Sequence, residues 1–176
     1  MEIAAFVIGC LGFLIAALAL GWQIASWALD GRRVKVTLKH GAMGRGGSVV
    51  GPVLRSGDPR DLSSVRAEGF LGMEVLGITV ANVGRMPVTV RRYSVHAVGA
   101  GFAFTPMGEA IGPDLPYRLE PGDSETWYAE MQSARALLSS IRSIGRQASR
   151  VYMTVELGTG EERRTPTSLR VSGVAK

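Results

Sequence analysis

The hydrophobic pattern splits the chain into two unequal regions. From Ile3 to Leu29 it reads IAAFVIGCLGFLIAALALGWQIASWAL, without one charged side chain. An α-helix rises about 1.5 Å per residue, and a hydrocarbon core of about 30 Å takes about 20 apolar residues. Residues 1–30 therefore predict a transmembrane anchor that spans with tilt or extends into the headgroups. A buried helix of a soluble core is rarely so long and so free of charge.

After the anchor the period falls to two, the signature of half-buried strands. Val34-Lys35-Val36-Thr37-Leu38-Lys39 alternates apolar and polar. Leu76, Ile78 and Val80 share a second strand face, and Asn82 to Pro87 then breaks the pattern with Gly84 and Pro87. Val88-Thr89-Val90 resumes it and runs on through Tyr93 and Val95, with inward positions slipping from even to odd near Arg91 and Arg92. One extra residue, a β-bulge, explains such a slip. Gly101 to Thr105 predicts a short edge strand. Tyr117 to Leu119 and Glu125 to Ala129 are expected to pair across a type II turn at Pro121-Gly122. Trp127 is the best aromatic core candidate. Val151, Met153, Val155 and Leu157 mark another inward face. Gly158-Thr159-Gly160 turns it into a polar return over Glu161 to Thr165, and Leu169 and Val171 extend it or add an edge.

Two segments depart from the strand period. Ala134, Leu137, Leu138, Ile141, Ile144 and Ala148 recur at helical spacing, so a short amphipathic helix is expected over about 133–147, with Ser133 as N-cap. Arg135, Ser139, Arg142 and Arg146 fall on a different face of it; a helix capping the sheets with its arginines in water is favoured over one lying on lipid. Gly41 to Gly69 is rich in Gly, Ser, Arg and Asp and reads as a long flexible loop, 41–69, with a weak strand at Val49 to Leu54. The domain expected over 31–176 is thus mainly β, with a tail that frays from Ser172.

The flanks of the anchor orient it. Arg32, Arg33, Lys35 and Lys39 follow it, opposed only by Asp30, and Glu2 precedes it. The positive-inside rule places the N-terminus outside and the domain in the cytoplasm. A secretory signal has a basic n-region and a shorter apolar core. Cys10 reads as a small apolar position, not as a lipidation site. Trp22 and Trp27 lie at the end where indole rings suit the interface, and with Arg32, Arg33 and Lys35 they form the expected membrane-interface set. Ala17, Gly21 and Ala25 recur every four residues, which puts them on one helix face; ordinary transmembrane composition and helix packing into a homo-oligomer both account for them.

Charge changes the picture little. The chain carries +5, or +6 without Glu2, and 17 of its 20 basic residues are Arg. Arginine excess suits phosphate contact, but the equally high Ala, Gly and Val content points to base composition, so nucleic acid is not favoured. The only cysteine lies in the anchor, which leaves the domain without a disulfide and fits a reducing compartment.

ITVANVGRMPVTVRRYSV resembles the Asn-x-Gly turn and returning Pro-Val strand of bacterial immunoglobulin-like sandwiches, and Leu119-Glu120-Pro121-Gly122-Asp123-Ser124 is similar to a turn such modules carry before their next strand. The whole arrangement resembles uncharacterised bacterial single-pass membrane proteins with an N-terminal span and such a domain. The resemblance covers roughly Val34 to Val171. It implies an antiparallel immunoglobulin-like β-sandwich in which the Pro-Val strand pairs back on its predecessor, and it implies no catalytic residue and no ligand.

Catalytic chemistry is not visible in the sequence. His40 and His96 lie on different expected strands and read as structural or solvated residues. No His/Cys cluster with metal-ligand spacing occurs, no Gly-x-Ser-x-Gly elbow appears, and Gly44-Arg45-Gly46-Gly47-Ser48 lacks the lysine of a phosphate-binding loop. The expectation is a non-catalytic protein without cofactor or metal, embedded in the bilayer and binding another protein. The competing reading makes it a reader of anionic lipid through its basic collar and helix. A third makes it a membrane oligomer whose span carries the activity.

Overall fold

The computed structural model describes residues 2–29, 33–44, 46–68, 72–107 and 111–171. Arg32, Asp30 and the tail from Ser172 lie outside them. Helix α1, Glu2–Leu29, is continuous. Its Phe6–Ser26 stretch is long and apolar enough to cross a membrane, and none of it is buried against the rest of the chain. With no proline and mostly Leu, Ile and Ala, nothing in it interrupts the helical hydrogen bonds.

The remainder is mainly β, in two antiparallel sheets. The first sheet has the order β2-β1-β3-β7, built from β1 (Val34–Gly44), β2 (Gly47–Pro52), β3 (Met73–Asn82) and β7 (Ser124–Glu130). The β1–β3 ladder runs without a break from Val34↔Asn82 to Met43↔Met73. Alternation sets its faces: Val36, Leu38, His40 and Ala42 turn inward from β1, with Leu76, Ile78 and Val80 from β3. The glycine-rich stretch expected as a loop contains more order than its composition suggests. β1 runs on to Gly44, β2 folds back on it, and a short helix, α2 (Ser63–Ala67), follows. Glycine is needed at position 41, because a Cβ there would collide with the Val49 carbonyl.

The second sheet centres on β4 (Val88–Ala97) and β8 (Arg150–Leu157). Its outer positions are each split between two short strands. β5 (Ala103–Phe104) and β6 (Tyr117–Leu119) share the free side of β4. β9 (Glu162–Arg164) and β10 (Leu169–Arg170) share that of β8. The β4–β8 register shifts between Val90 and Arg92. This is the expected bulge: Arg91 and Arg92 both face water, and Tyr93, Val95 and Ala97 then turn inward in place of the even positions. Both sheets contribute to one core, with Leu38, Ile78, Val90, Val95, Met153, Val155 and Trp127 in a continuous cluster. The Trp127 indole N–H donates to the Pro113 carbonyl at 2.8 Å, so its burial leaves no polar atom stranded.

Strand pairing departs from the local reading in two places. β3 and β4 do not form a hairpin; they lie in different sheets. β6 and β7 do not pair across the Pro121-Gly122 turn either, since β6 joins β4 and β7 joins β3. The turn itself is type II, with Gly122 at φ +89° and the Asp123 N–H donating to the Glu120 carbonyl at 3.1 Å. Both turns carry the chain from one sheet to the other, and Asn82 joins them. Its side-chain amide donates to the Met86 carbonyl at 2.8 Å and the Leu119 carbonyl at 3.1 Å, and its oxygen accepts the Gly84 N–H at 3.1 Å. Its backbone exchanges bonds with Gly122 and Asp123, each at 2.9 Å.

Helix α3, Met131–Ser143, leaves β7 directly and leads to β8. It starts earlier than the apolar spacing predicts. Glu130 occupies the N-cap in extended conformation without a side-chain cap bond, and Ser133 lies inside the first turn. Met131, Ala134, Leu138 and Ile141 are buried, whereas Ile144 lies past the end and is exposed.

Asn82→Ala removes both carbonyl contacts and the acceptor of the Gly84 N–H. We expect a loss of about 2–3 kcal/mol, read as a lower urea midpoint in the near-ultraviolet circular dichroism of the detergent-solubilised chain.

Candidate functional site

The densest group of interacting charged side chains lies at the end of the sheets away from α1. His40 pairs with Leu76 across β1 and β3, so Glu74, two residues before Leu76, lies diagonal to it on the same face. That face is the inner one. Val75 pairs with Glu130, so α3 begins beside the start of β3, and Arg135 in its second turn reaches Glu74. The loop after β2 brings in Arg60, and α2 brings in Arg66. Together they border an open cleft of about 430 Å³ that includes Asp61 and Ser63.

The geometry fixes the roles of the two histidine ring nitrogens. His40 is 1 % exposed. Its Nδ1 accepts the Arg60 backbone N–H at 3.2 Å, so Nε2 carries the proton and donates it to Glu74 Oε1 at 3.0 Å. Arg135 Nη2 donates to Glu74 Oε2 at 2.7 Å, and Arg66 Nη2 stands 3.8 Å from the same oxygen. The His40 hydrogen bond, helped by Arg135 and opposed by burial, lowers the Glu74 carboxyl to about 2. Chemically the arrangement is a lock. Neither imidazole nitrogen has a lone pair or proton left for a substrate, and an ionised carboxylate with two donors and a second guanidinium nearby is a poor base. Its structural role is plain, because it ties β1, β3, α3 and the loop after β2 to one another.

The second histidine joins a ladder on the outer face of the second sheet. His96 stacks on Tyr152 at 5.1 Å and shares a hydrogen bond with Thr154 at 2.9 Å, and Arg164 lies over the Tyr152 ring at 3.8 Å. Burial lowers the His96 pKa. Among the described residues no group of three His, Cys, Asp or Glu side chains could hold a metal ion.

The residues expected at the membrane fall elsewhere. Trp22 is exposed on α1, while Trp27 belongs to the same helix with its side chain outside the described set, as Arg32 is altogether. Ala17, Gly21 and Ala25 are exposed along α1, and a Cβ built at Gly21 would meet nothing within 4 Å. Arg33 extends the β1–β3 ladder, its carbonyl accepting the Val83 N–H at 2.9 Å, and Lys35 is exposed on β1. The arginines expected on one face of a helix over 133–147 are partly engaged by the fold itself, and Arg146 lies past the end of α3. Arg135 holds Glu74, and Arg146 donates to the Ala100 carbonyl at 2.7 Å and lies over the Phe102 ring. No protein-family model and no curated protein matches the chain.

The lock makes stability acid-sensitive. The folded Glu74 carboxyl titrates near 2, against an ordinary value of 4.5. Its contribution is therefore complete above about pH 4.5 and is lost as pH falls toward 2, an effect of about 2–3 kcal/mol. Glu74→Gln should lower stability at pH 7 and flatten the pH dependence between those limits, checked by urea unfolding at several pH values.

Proposed function

We propose that the chain is a single-pass membrane protein whose immunoglobulin-like β-sandwich domain binds an extended segment of a partner protein without catalysing a reaction. The observation that carries this reading is the edge of β2. Natural sheets blunt their edges with charge, shortness or cover, and most edges here follow that rule. β9 is Glu-Arg-Arg and fully exposed. β5 has two residues. The Arg170 N–H of β10 donates to the Gly57 carbonyl. On β7, Ile111 bridges Tyr128, and Glu125 and Glu130 place a carboxylate near each end of the strand. β2 is Gly-Ser-Val-Val-Gly-Pro, with no charged residue and with Val49 46 % exposed. Arg60 covers only its Gly51–Pro52 end. A peptide that adds a strand there gains main-chain hydrogen bonds and a contact for Val49.

Support for the anchor comes from exposure and length. Ile8, Phe13, Ile15, Leu18 and Trp22 are each more than half exposed, which water penalises and lipid does not. Twenty-eight helical residues reach about 42 Å, enough to cross the apolar layer and enter the headgroups on both sides. Arg33, Lys35 and Lys39 after the span favour a cytoplasmic domain. The anionic-lipid reading keeps Arg33 and Lys35, but its helix half is weakened by the engagement of Arg135 and Arg146 within the fold.

Two measurements test the proposal. In a Cys10→Ala background, a cysteine at Thr159 should resist an impermeant thiol reagent in intact cells and react after lysis; reaction in intact cells would reverse the orientation. A photocrosslinker at Ser48, in native membranes, should give a protein adduct of defined mass that Val49→Lys abolishes while the same probe at Glu162 gives none. Absence of any adduct at Ser48, or one indifferent to Val49→Lys, rules out strand addition at β2.

A further inference from the structure

We infer that the corner between β3 and β4, Val83 to Met86, is seated in the headgroup layer of the same bilayer that α1 crosses; this rests on the membrane reading of α1. The argument begins with length. The apolar stretch Phe6–Ser26 has 21 residues, about 31 Å of helix, which matches the hydrocarbon thickness. The turn from Ser26 to Leu29 adds about 4–5 Å and so ends within a headgroup layer about 5–7 Å deep.

The tether then restricts the domain. Four residues, 30–33, follow α1 before β1 begins at Val34, and four residues reach at most about 14 Å. Arg33 is already inside the ladder, its carbonyl bonded to the Val83 N–H at 2.9 Å. The Val83 backbone is therefore held within one short tether of the helix end. Asn82 makes the corner rigid through the Met86 carbonyl and the Gly84 N–H. On this rigid corner Val83 is 59 % and Met86 45 % exposed. Apolar side chains on a fixed turn at headgroup depth bury their surface by entering lipid.

Charge alone does not account for seating. Arg33, Lys35 and Arg85 stand at this end, but so do Glu120, Asp123 and Glu125. Asn82 bonds to Asp123, Ala81 pairs with Ser124 and Val80 pairs with Glu125. The contact should therefore form on neutral lipid. At about 3.4 Å per residue, the ten steps of β1 from Val34 to Gly44 extend about 34 Å from this corner. Its turn with β2 and the lock around Glu74 are then carried well clear of the surface.

The test uses the full chain reconstituted in phosphatidylcholine vesicles with an environment-sensitive fluorophore on one cysteine at a time. The positions are native Cys10 and, in a Cys10→Ala background, Val83→Cys, Met86→Cys and Ser139→Cys on the exposed side of α3. Lipids spin-labelled at the headgroup or deep in the chain serve as quenchers. We expect the probe at Cys10 to lose most of its emission to the chain label, and those at 83 and 86 to lose most of theirs to the headgroup label. The probe at 139 should lose none. If Cys10 is quenched and 83 and 86 behave like 139, the seating is wrong and the span stands. If Cys10 is not quenched, the membrane reading fails and the seating falls with it. Quenching at 83 and 86 that needs anionic lipid and disappears in salt would replace apolar seating with charge attraction.

Discussion

Two sheets that share a core must exchange their chain, and in this domain both exchanges at the end where β1 begins meet at the side chain of Asn82. A buried primary amide has two donors and a carbonyl acceptor, and each unmet group costs free energy in the interior. Asn82 meets all of them with backbone groups of the two crossings: Met86 and Gly84 on the way to β4, and Leu119 on the way to β7. It also pairs with Val34, the first residue of β1. The first strand, the switch into the second sheet and the return from it are thus referred to one side chain.

The opposite end is closed by different physics. There the inner face of the first sheet carries His40 and Glu74 where hydrocarbon would otherwise continue, and α3 and the loop after β2 bring the complementary cations. A neutral amide clamp is indifferent to pH and salt. A carboxylate held by imidazole and guanidinium groups is not, because its strength depends on ionisation and on exclusion of water. The domain is therefore bounded by one end insensitive to its medium and one end that registers it. Tyr93 links the sheets between them, its hydroxyl donating to the Tyr128 carbonyl at 2.7 Å.

Much of this was legible from residue order wherever the signal was local. The apolar run of α1, the alternation of β1, the inward face of β8 and the bulge at Arg91 each follow from side-chain period over a few residues. The Gly122 turn was also legible as a conformation. What it joins was not, because a type II turn fixes dihedral angles and leaves open which sheet receives the next strand. The same limit applies at Asn82 to Pro87, where a turn between two strands suggests a hairpin but makes a sheet crossing. Composition misled at 41–52, since the glycine that reads as loop is what lets β2 lie close to β1. The cluster around Glu74 had no signal at all. Its members lie 34 and 61 positions apart in the chain, and no motif binds them together.

The split edges of the second sheet have a consequence for assembly. Edge pairing can propagate only through a module with two receptive sides, since each added unit must offer a fresh one. Here the second sheet offers only short fragments on both flanks, with charged residues in β6, β9 and β10, and the first sheet offers β2 on one flank and a covered β7 on the other. Such a module has a valency of one. It can end a chain of strands or close a symmetric pair, but it cannot lengthen a fibre.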